Sequence, residues 1–273
     1  MRKIAGLVVL SRPHNVAAAV LSVAVGFSMT GSGEWPWLVF AAAALATAAG
    51  HTVNDIYDLA IDRLNRPDRP LVSGALSVRG AWIEYVVLVA GALFISIFVP
   101  RAAAVWIIAW VVLLHLYSSK LKRMFLAGNA LVAVVAASGF LLGAYAGHDV
   151  RAGILPAAYT FLFVMGREIV KDAADLEGDR ALGATTFPIV SGMKPALVTA
   201  AVIFGCLCVT IPLPSELGFY RSLYALIMLC TLVPILMISI LLVLRNRSLG
   251  LVSSLLKVGM FFGCAAFYFG PKK

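Results

Sequence analysis

The chain has 273 residues, of which 62% are hydrophobic and only 13% charged, and its mean hydropathy is +0.96. A soluble domain has no use for so large an apolar share, so the composition marks a polytopic, all-α membrane protein. The net charge of +9 is scattered over short loops rather than gathered into a patch, which is how topology is encoded and gives no footprint for nucleic acid.

Met1-Arg2-Lys3 leads into an apolar run without a small-residue cleavage site and a polar segment behind it, so no removable signal is expected. A span needs roughly 20 apolar residues. At that scale the chain offers about nine, near 5–29, 36–57, 80–99, 102–118, 124–146, 152–172, 195–213, 220–244 and 250–270. Short, weakly charged turns at Gly31-Ser32-Gly33, Pro100-Arg101, Gly147-His148-Asp149 and Pro212-Leu213-Pro214 alternate with longer basic ones. The basic set holds Arg2, Lys3, Arg63, Arg66, Arg69, Arg79, Lys120, Lys122, Arg123, Lys171, Arg180, Lys194, Arg245 and Arg247. The opposite set holds only Arg101, Arg151, Arg221, Lys272 and Lys273. This bias places the N-terminus and the basic loops in the cytoplasm of a cell membrane protein, and nine spans then put the C-terminus outside. Cys206, Cys208, Cys230 and Cys264 lie within apolar runs without CxxC or Cys/His spacing and read as small packing residues.

The polar exception is Asn54 to Gly74, NDIYDLAIDRLNRPDRPLVSG, which begins at the end of the second span. Charge in such a position is expensive and points to function. A second stretch answers it 117 residues later: Asn54-Asp55-x-x-Asp58-Leu59-x-x-Asp62-Arg63 pairs with Lys171-Asp172-x-x-Asp175-Leu176-x-x-Asp179-Arg180, and Pro70-Leu71-Val72-Ser73-Gly74 with Pro188-Ile189-Val190-Ser191-Gly192. Each copy follows an even-numbered span. The chain therefore reads as one domain, 1–273, built from repeat-like halves of about 1–120 and 121–245 with a ninth helix at 250–270.

Asn54, Asp58 and Asp62 are spaced i, i+4, i+8, and Asp172, Asp175 and Asp179 i, i+3, i+7, so each set lines one helix face. Two acidic helix ends in one bundle repel unless cations lie between them. Oxygen donors without His or Cys favour Mg²⁺, which is held by a few carboxylates together with substrate phosphates, so the expected guest is a diphosphate. Arg63, Lys120, Lys122, Arg167, Lys171 and Arg180 lie near the same ends of the spans and are suited to neutralise it. Arg167 stands about one turn inside its helix on the acid side. Arg12 and Asn15 form a polar pair early in the first span, while His14 and His51 read as structural.

The two Asp-rich motifs, together with Tyr117-Ser118-Ser119-Lys120-Leu121-Lys122 between them, resemble the intramembrane prenyltransferases of the UbiA superfamily. The likeness runs over the whole chain in span number and loop order. It implies a helical bundle around a central cavity open sideways to lipid, with a prenyl diphosphate bound through Mg²⁺. Arg12-Pro13-His14-Asn15, YSSKLKRMFLAGN and REIVKDAADLEGDRALGATTFPI are similar to the ether-lipid branch of that superfamily. The quinone-pathway pattern YPxxKR is not matched, because Pro is absent after Tyr117.

The resemblance implies Mg²⁺ at Asn54, Asp58, Asp62, Asp172, Asp175 and Asp179. In the reaction it implies, Lys120, Lys122 and Arg63 take phosphate charge, with Arg167 and Lys171 beside them. Tyr117 either stabilises the allylic cation or sits at the membrane interface, and Arg12 and Asn15 either hold an acceptor phosphate or anchor the helix end. The implied reaction transfers a geranylgeranyl group to the hydroxyl of geranylgeranylglyceryl phosphate and releases diphosphate. Two other expectations stand beside it: the same chemistry on an aromatic, quinone or tetrapyrrole acceptor, and an ion-coupled transporter, which would need its acids near mid-membrane.

Overall fold

A computed structural model describes residues 2–181 and 183–271. In chain order the helices are α1 (Arg2–Leu10), α2 (Pro13–Ser28), α3 (Trp37–Tyr57), α4 (Leu59–Asn65), α5 (Val78–Ser96), α6 (Arg101–Ser119), α7 (Ala127–Ala146), α8 (Ile154–Ala174), α9 (Leu176–Ala181), α10 (Phe187–Ser191), α11 (Met193–Thr210), α12 (Leu213–Glu216), α13 (Ser222–Ile227), α14 (Val233–Leu244) and α15 (Leu249–Phe269). Among the described residues there is no strand, and eight spans are long and apolar enough to cross a membrane. The all-α bundle expected from the sequence is the one observed. The ninth span, α2, has 16 residues and covers about 24 Å, somewhat short of the hydrocarbon core.

Local chemistry sets the breaks. The run expected over 5–29 is two helices, because Pro13 disfavours the right-handed helical conformation at the residue before it. Arg12 accordingly sits in the left-handed region at φ 49°, and Pro13 starts α2. Within 220–244 a π turn at Met228–Leu232 joins α13 to α14. Pro234 lacks a donor and its ring crowds the carbonyl four residues back, so the ladder shifts by one residue just before it. Thr231 Oγ1 donates to the Ile227 carbonyl at 2.7 Å. Ser77 caps α5 by accepting from the Gly80 N–H at 3.1 Å.

Lys272 and Lys273, which entered the charge bias, lie outside the described residues, and of Arg2 and Lys3 only the backbone is described.

The helices close a ring: α2 packs on α3, α7 and α15; α3 on α6; α6 on α7; α7 on α8; α8 on α11 and α15; α11 on α14; and α14 on α15. α5 lies outside it against α3, and Ile83, Val86, Val87 and Phe94 along its outer side, with Ile97 and Phe98 just beyond its end, are exposed, as a lipid-facing surface requires. The tightest crossing is that of α2 with α7. A Cβ at Gly143 would stand 1.8 Å from the Val23 carbonyl oxygen, and one at Gly26 2.1 Å from that of Phe140. Small residues drive such crossings in lipid, where apolar surface gains nothing by leaving water. The loop after α4 folds back over the ring, burying Leu71 and Leu76 against Leu10 and Ala81.

Candidate active site

The ring encloses a cavity of about 650 Å³. At one end it is walled by both acidic motifs, and it runs along α8 and α15 to an aromatic floor. Along α8 the distance from Asp172 to Tyr159 is about 20 Å. At the floor the Phe267 ring meets Phe140 at 6.1 Å, Tyr159 at 6.1 Å, Tyr220 at 5.9 Å and Tyr224 at 5.4 Å between centroids.

The two acidic motifs are built alike. Asp58 ends α3 and precedes α4, with φ −85° and ψ −1°; Asp175 ends α8 and precedes α9, with φ −94° and ψ 10°. Helical hydrogen bonding runs through both joints. The Asp58 N–H donates to the Asn54 carbonyl (2.9 Å) and that of Asp62 to Asp58 (2.8 Å). The Asp175 N–H donates to Lys171 (2.9 Å) and that of Asp179 to Asp175 (3.0 Å). Each bend therefore keeps its polar residues on one face while turning a short helix over the cavity, and α4 packs against α9. Asn54, Asp58, Asp62, Asp172, Asp175 and Asp179 all line the cavity, as do Tyr117, Lys122, Arg167, Lys171, Arg12 and Asn15.

Protein cations occupy Asp58 and Asp62 among these acids, and two further carboxylates beside them. Asp55, which is buried, pairs with Arg12 and with Arg69 at 2.9 Å. Arg69 reaches on to Asp62, and Lys122 holds Asp58. Glu168 is buried between Arg167, at 2.7 Å, and Lys171. Asn129 Nδ2 donates to Asp172 Oδ2 at 2.8 Å. Asp175 and Asp179 carry no ion pair among the described residues. Burial pushes the Asp62 carboxyl above the usual carboxylate range, with Arg69 opposing. Burial, then the charge of Asp175, does the same to Asp179.

Three expected residues are not brought in. Arg63, Lys120 and Arg180 are exposed and stand outside the cavity wall. Arg63 follows Asp62 directly on a helix, so it points about 100° away from the acidic face. Lys120 ends α6 at φ −136°, and the 3₁₀ turn Leu121–Arg123 delivers Lys122 to Asp58 instead. His14 and His51, expected to be structural, line the cavity. Four contributors were not singled out: Arg69, Glu168, Asn129 and Lys257. Lys257 carried a usable signal, a cation midway along an apolar span.

The donor set suits a hard divalent cation, since every candidate ligand is an oxygen. Among the described residues no three His, Cys, Asp or Glu converge closely enough to hold an ion alone. Mg²⁺ makes no such demand: it takes one or two carboxylates and completes its shell with water and phosphate oxygens. A membrane bundle with two Asp motifs over a cavity that ends in an aromatic floor is a site for a long apolar molecule with an anionic head.

The family comparison agrees. Residues 17–264 match the UbiA prenyltransferase family, and the chain belongs to it. It is 35% identical over 263 residues to digeranylgeranylglyceryl phosphate synthase of Methanothermobacter thermautotrophicus, covering 95% of this chain and 93% of that one. The enzyme of the same name from Methanopyrus kandleri is 36% identical over 260 residues, covering 94% and 96%. A solved structure from work on digeranylgeranylglyceryl phosphate synthase in membranes superposes with TM-score 0.76 at 29% identity, covering 98% of both chains. The fold is also that of a UbiA homologue from Archaeoglobus fulgidus bound to GPP and Mg²⁺, with TM-score 0.70 at 20% identity, covering 95% and 99%.

Proposed function

We propose that this prenyltransferase moves a geranylgeranyl group from geranylgeranyl diphosphate to the free hydroxyl of geranylgeranylglyceryl phosphate, with release of diphosphate. The observation that carries the reading is one cavity joining two Asp motifs to a long apolar shaft. The likeness to digeranylgeranylglyceryl phosphate synthases over nearly the whole chain supports the acceptor, and the Archaeoglobus fulgidus homologue supports the divalent ion.

In this reading Asn54, Asp58 and Asp62 face Asp172, Asp175 and Asp179 to hold Mg²⁺. When bound there, the ion neutralises the charge that develops on the departing diphosphate. The chain's own residues do the rest. Lys122 and Arg69 exchange their carboxylate partners for phosphate oxygens, and Lys171 adds a third cation. The C–O bond of the donor lengthens toward an allylic cation flanked by the Tyr117 ring. Val132, Ala136, Val164 and Met260 line the cavity wall and keep out water that would otherwise capture the cation. The hydroxyl of the acceptor attacks the same carbon, and its proton passes to the departing diphosphate as the ether forms.

The reading further places the N-terminus and both Asp-bearing loops in the cytoplasm, supported by the basic residues there. It takes the fold as two four-helix repeats plus α15, supported by the matched joints at Asp58 and Asp175.

Purified enzyme with labelled geranylgeranyl diphosphate and a panel of acceptors tests the proposal. We expect product from geranylgeranylglyceryl phosphate, none after Mg²⁺ is chelated, and loss of at least about a hundredfold in Asp58→Ala and Asp175→Ala proteins that still purify as folded. Faster transfer to an aromatic or tetrapyrrole acceptor would discard the acceptor, and transfer in chelator would discard the metal.

A further inference from the structure

The polar end of the cavity is not uniformly acidic. Beside the Asp motifs, Arg12 from the α1–α2 turn, Arg66 from the loop after α4, Arg167 from α8 and Lys257 from α15 line the same cavity. We propose that Arg66, Arg167 and Lys257, with Arg12 beside them, form a second anion site that takes a phosphate monoester without a metal. This rests on the reading above, in which the acceptor carries that group.

Four elements far apart in sequence converge here: the α1–α2 turn, the loop after α4, α8 and α15 each put a cation on the wall of one cavity. The nearby carboxylates do not balance them. Asp55 is already shared by Arg12 and Arg69, and Glu168 by Arg167 and Lys171. Arg66 and Lys257 have no ion-pair partner among the described residues. Arg167 has a buried Nε with no hydrogen-bond partner, so one face of its guanidinium fork is unspent. An unpaired lysine within a membrane span and an arginine whose buried Nε is unpartnered are costly to keep, and an anion between them offsets that cost.

The chemistry separates the two anions. A diphosphate on Mg²⁺ needs oxygen ligands and finds them at the Asp motifs. A phosphate monoester repels those carboxylates and is held by guanidinium forks and an ammonium. The reaction proposed brings one of each, and the polar end of the cavity carries both kinds of partner. Arg12 is held left-handed ahead of Pro13 and reaches back to Asp55 of the first motif.

The test uses the full chain in detergent. Lys257→Met and Arg66→Gln remove charge at exposed side chains and should fold, and Lys257→Arg keeps the charge. We expect the KM for geranylgeranylglyceryl phosphate to rise roughly ten- to hundredfold in Lys257→Met and Arg66→Gln, with the KM for geranylgeranyl diphosphate within about twofold of wild type and rescue in Lys257→Arg. Geranylgeranylglycerol, which lacks the phosphate, should be used equally poorly by wild type and variants. In a second arm, sn-glycerol 1-phosphate in chelator should raise the Tm of wild type and not of Lys257→Met. A rise in donor KM with acceptor KM unchanged would overturn the second site and leave the reaction standing. Wild type that ignores the phosphorylated acceptor, yet is stabilised by glycerol phosphate through Lys257, would overturn the reaction and leave the site. No stabilisation of wild type together with unchanged acceptor KM in both variants would end the proposal.

Discussion

Asn129 shows how one side chain sets the character of another. It is buried at the start of α7 and spends its amide on Asp172, an acid at the end of α8. In Asn129→Ala the Asp172 carboxylate keeps its burial and loses that donor, at a cost of about 1–3 kcal/mol. We expect a lower melting temperature in detergent and a higher Mg²⁺ concentration for half-maximal activity, both read on the purified variant. Asn129 was visible within YSSKLKRMFLAGN but had no role there, because its partner lies 43 residues away. The acids themselves were legible, since carboxylates beside apolar spans stand out and their spacing fits a helix face. The cations were harder to read. Lys122 rather than Lys120 reaches the acids because α6 ends at Lys120, and where a helix ends within a basic run cannot be read from charge alone.

At the scale of helices, packing in lipid reverses an intrinsic preference. Alanine is favoured over glycine in a helix by about 1 kcal/mol. At Gly143 the added methyl would run into the Val23 backbone of α2, so Gly143→Ala should destabilise by about 1–3 kcal/mol as the two helices part. Gly205 in α11 has open space around its would-be Cβ, so Gly205→Ala should be neutral or stabilising. Thermal unfolding of the two variants side by side distinguishes packing from propensity, and equal shifts would show that the α2–α7 contact is looser than drawn. Helix existence was readable from apolar length. The division of the first span at Pro13 was also available, since proline restrains the residue before it, but hydropathy ran straight across the break. The π turn ahead of Pro234 was hidden in the same way.

For the molecule as a whole, we predict that the depth of the cavity selects the chain length of the donor. Cys264 lines the shaft one turn before Phe267 on α15. Cys264→Phe should raise the floor and lower kcat/KM for geranylgeranyl diphosphate by about tenfold or more, while a shorter prenyl diphosphate is affected less. Competition between donors of different length reads this directly, and an equal loss for all donors would place the substituted ring across the shaft rather than at its end. No periodicity in α8 or α15 announces such a floor, because Phe140, Tyr159, Tyr220, Tyr224 and Phe267 come from separate segments.

The sequence by itself determined the membrane class, the span order, the two Asp faces and their repetition. These rest on local physics: lipid demands about 20 apolar residues per span, and helical spacing puts residues three and four apart on one side. Tertiary structure alone decided how charge is divided inside the cavity. Whether a cation meets a carboxylate, a second cation or the membrane depends on which distant helix it faces. That is why Arg69 closes on Asp55 and Asp62, why Arg63 and Lys120 turn outward, and why Lys257, Arg66 and Arg167 line one cavity.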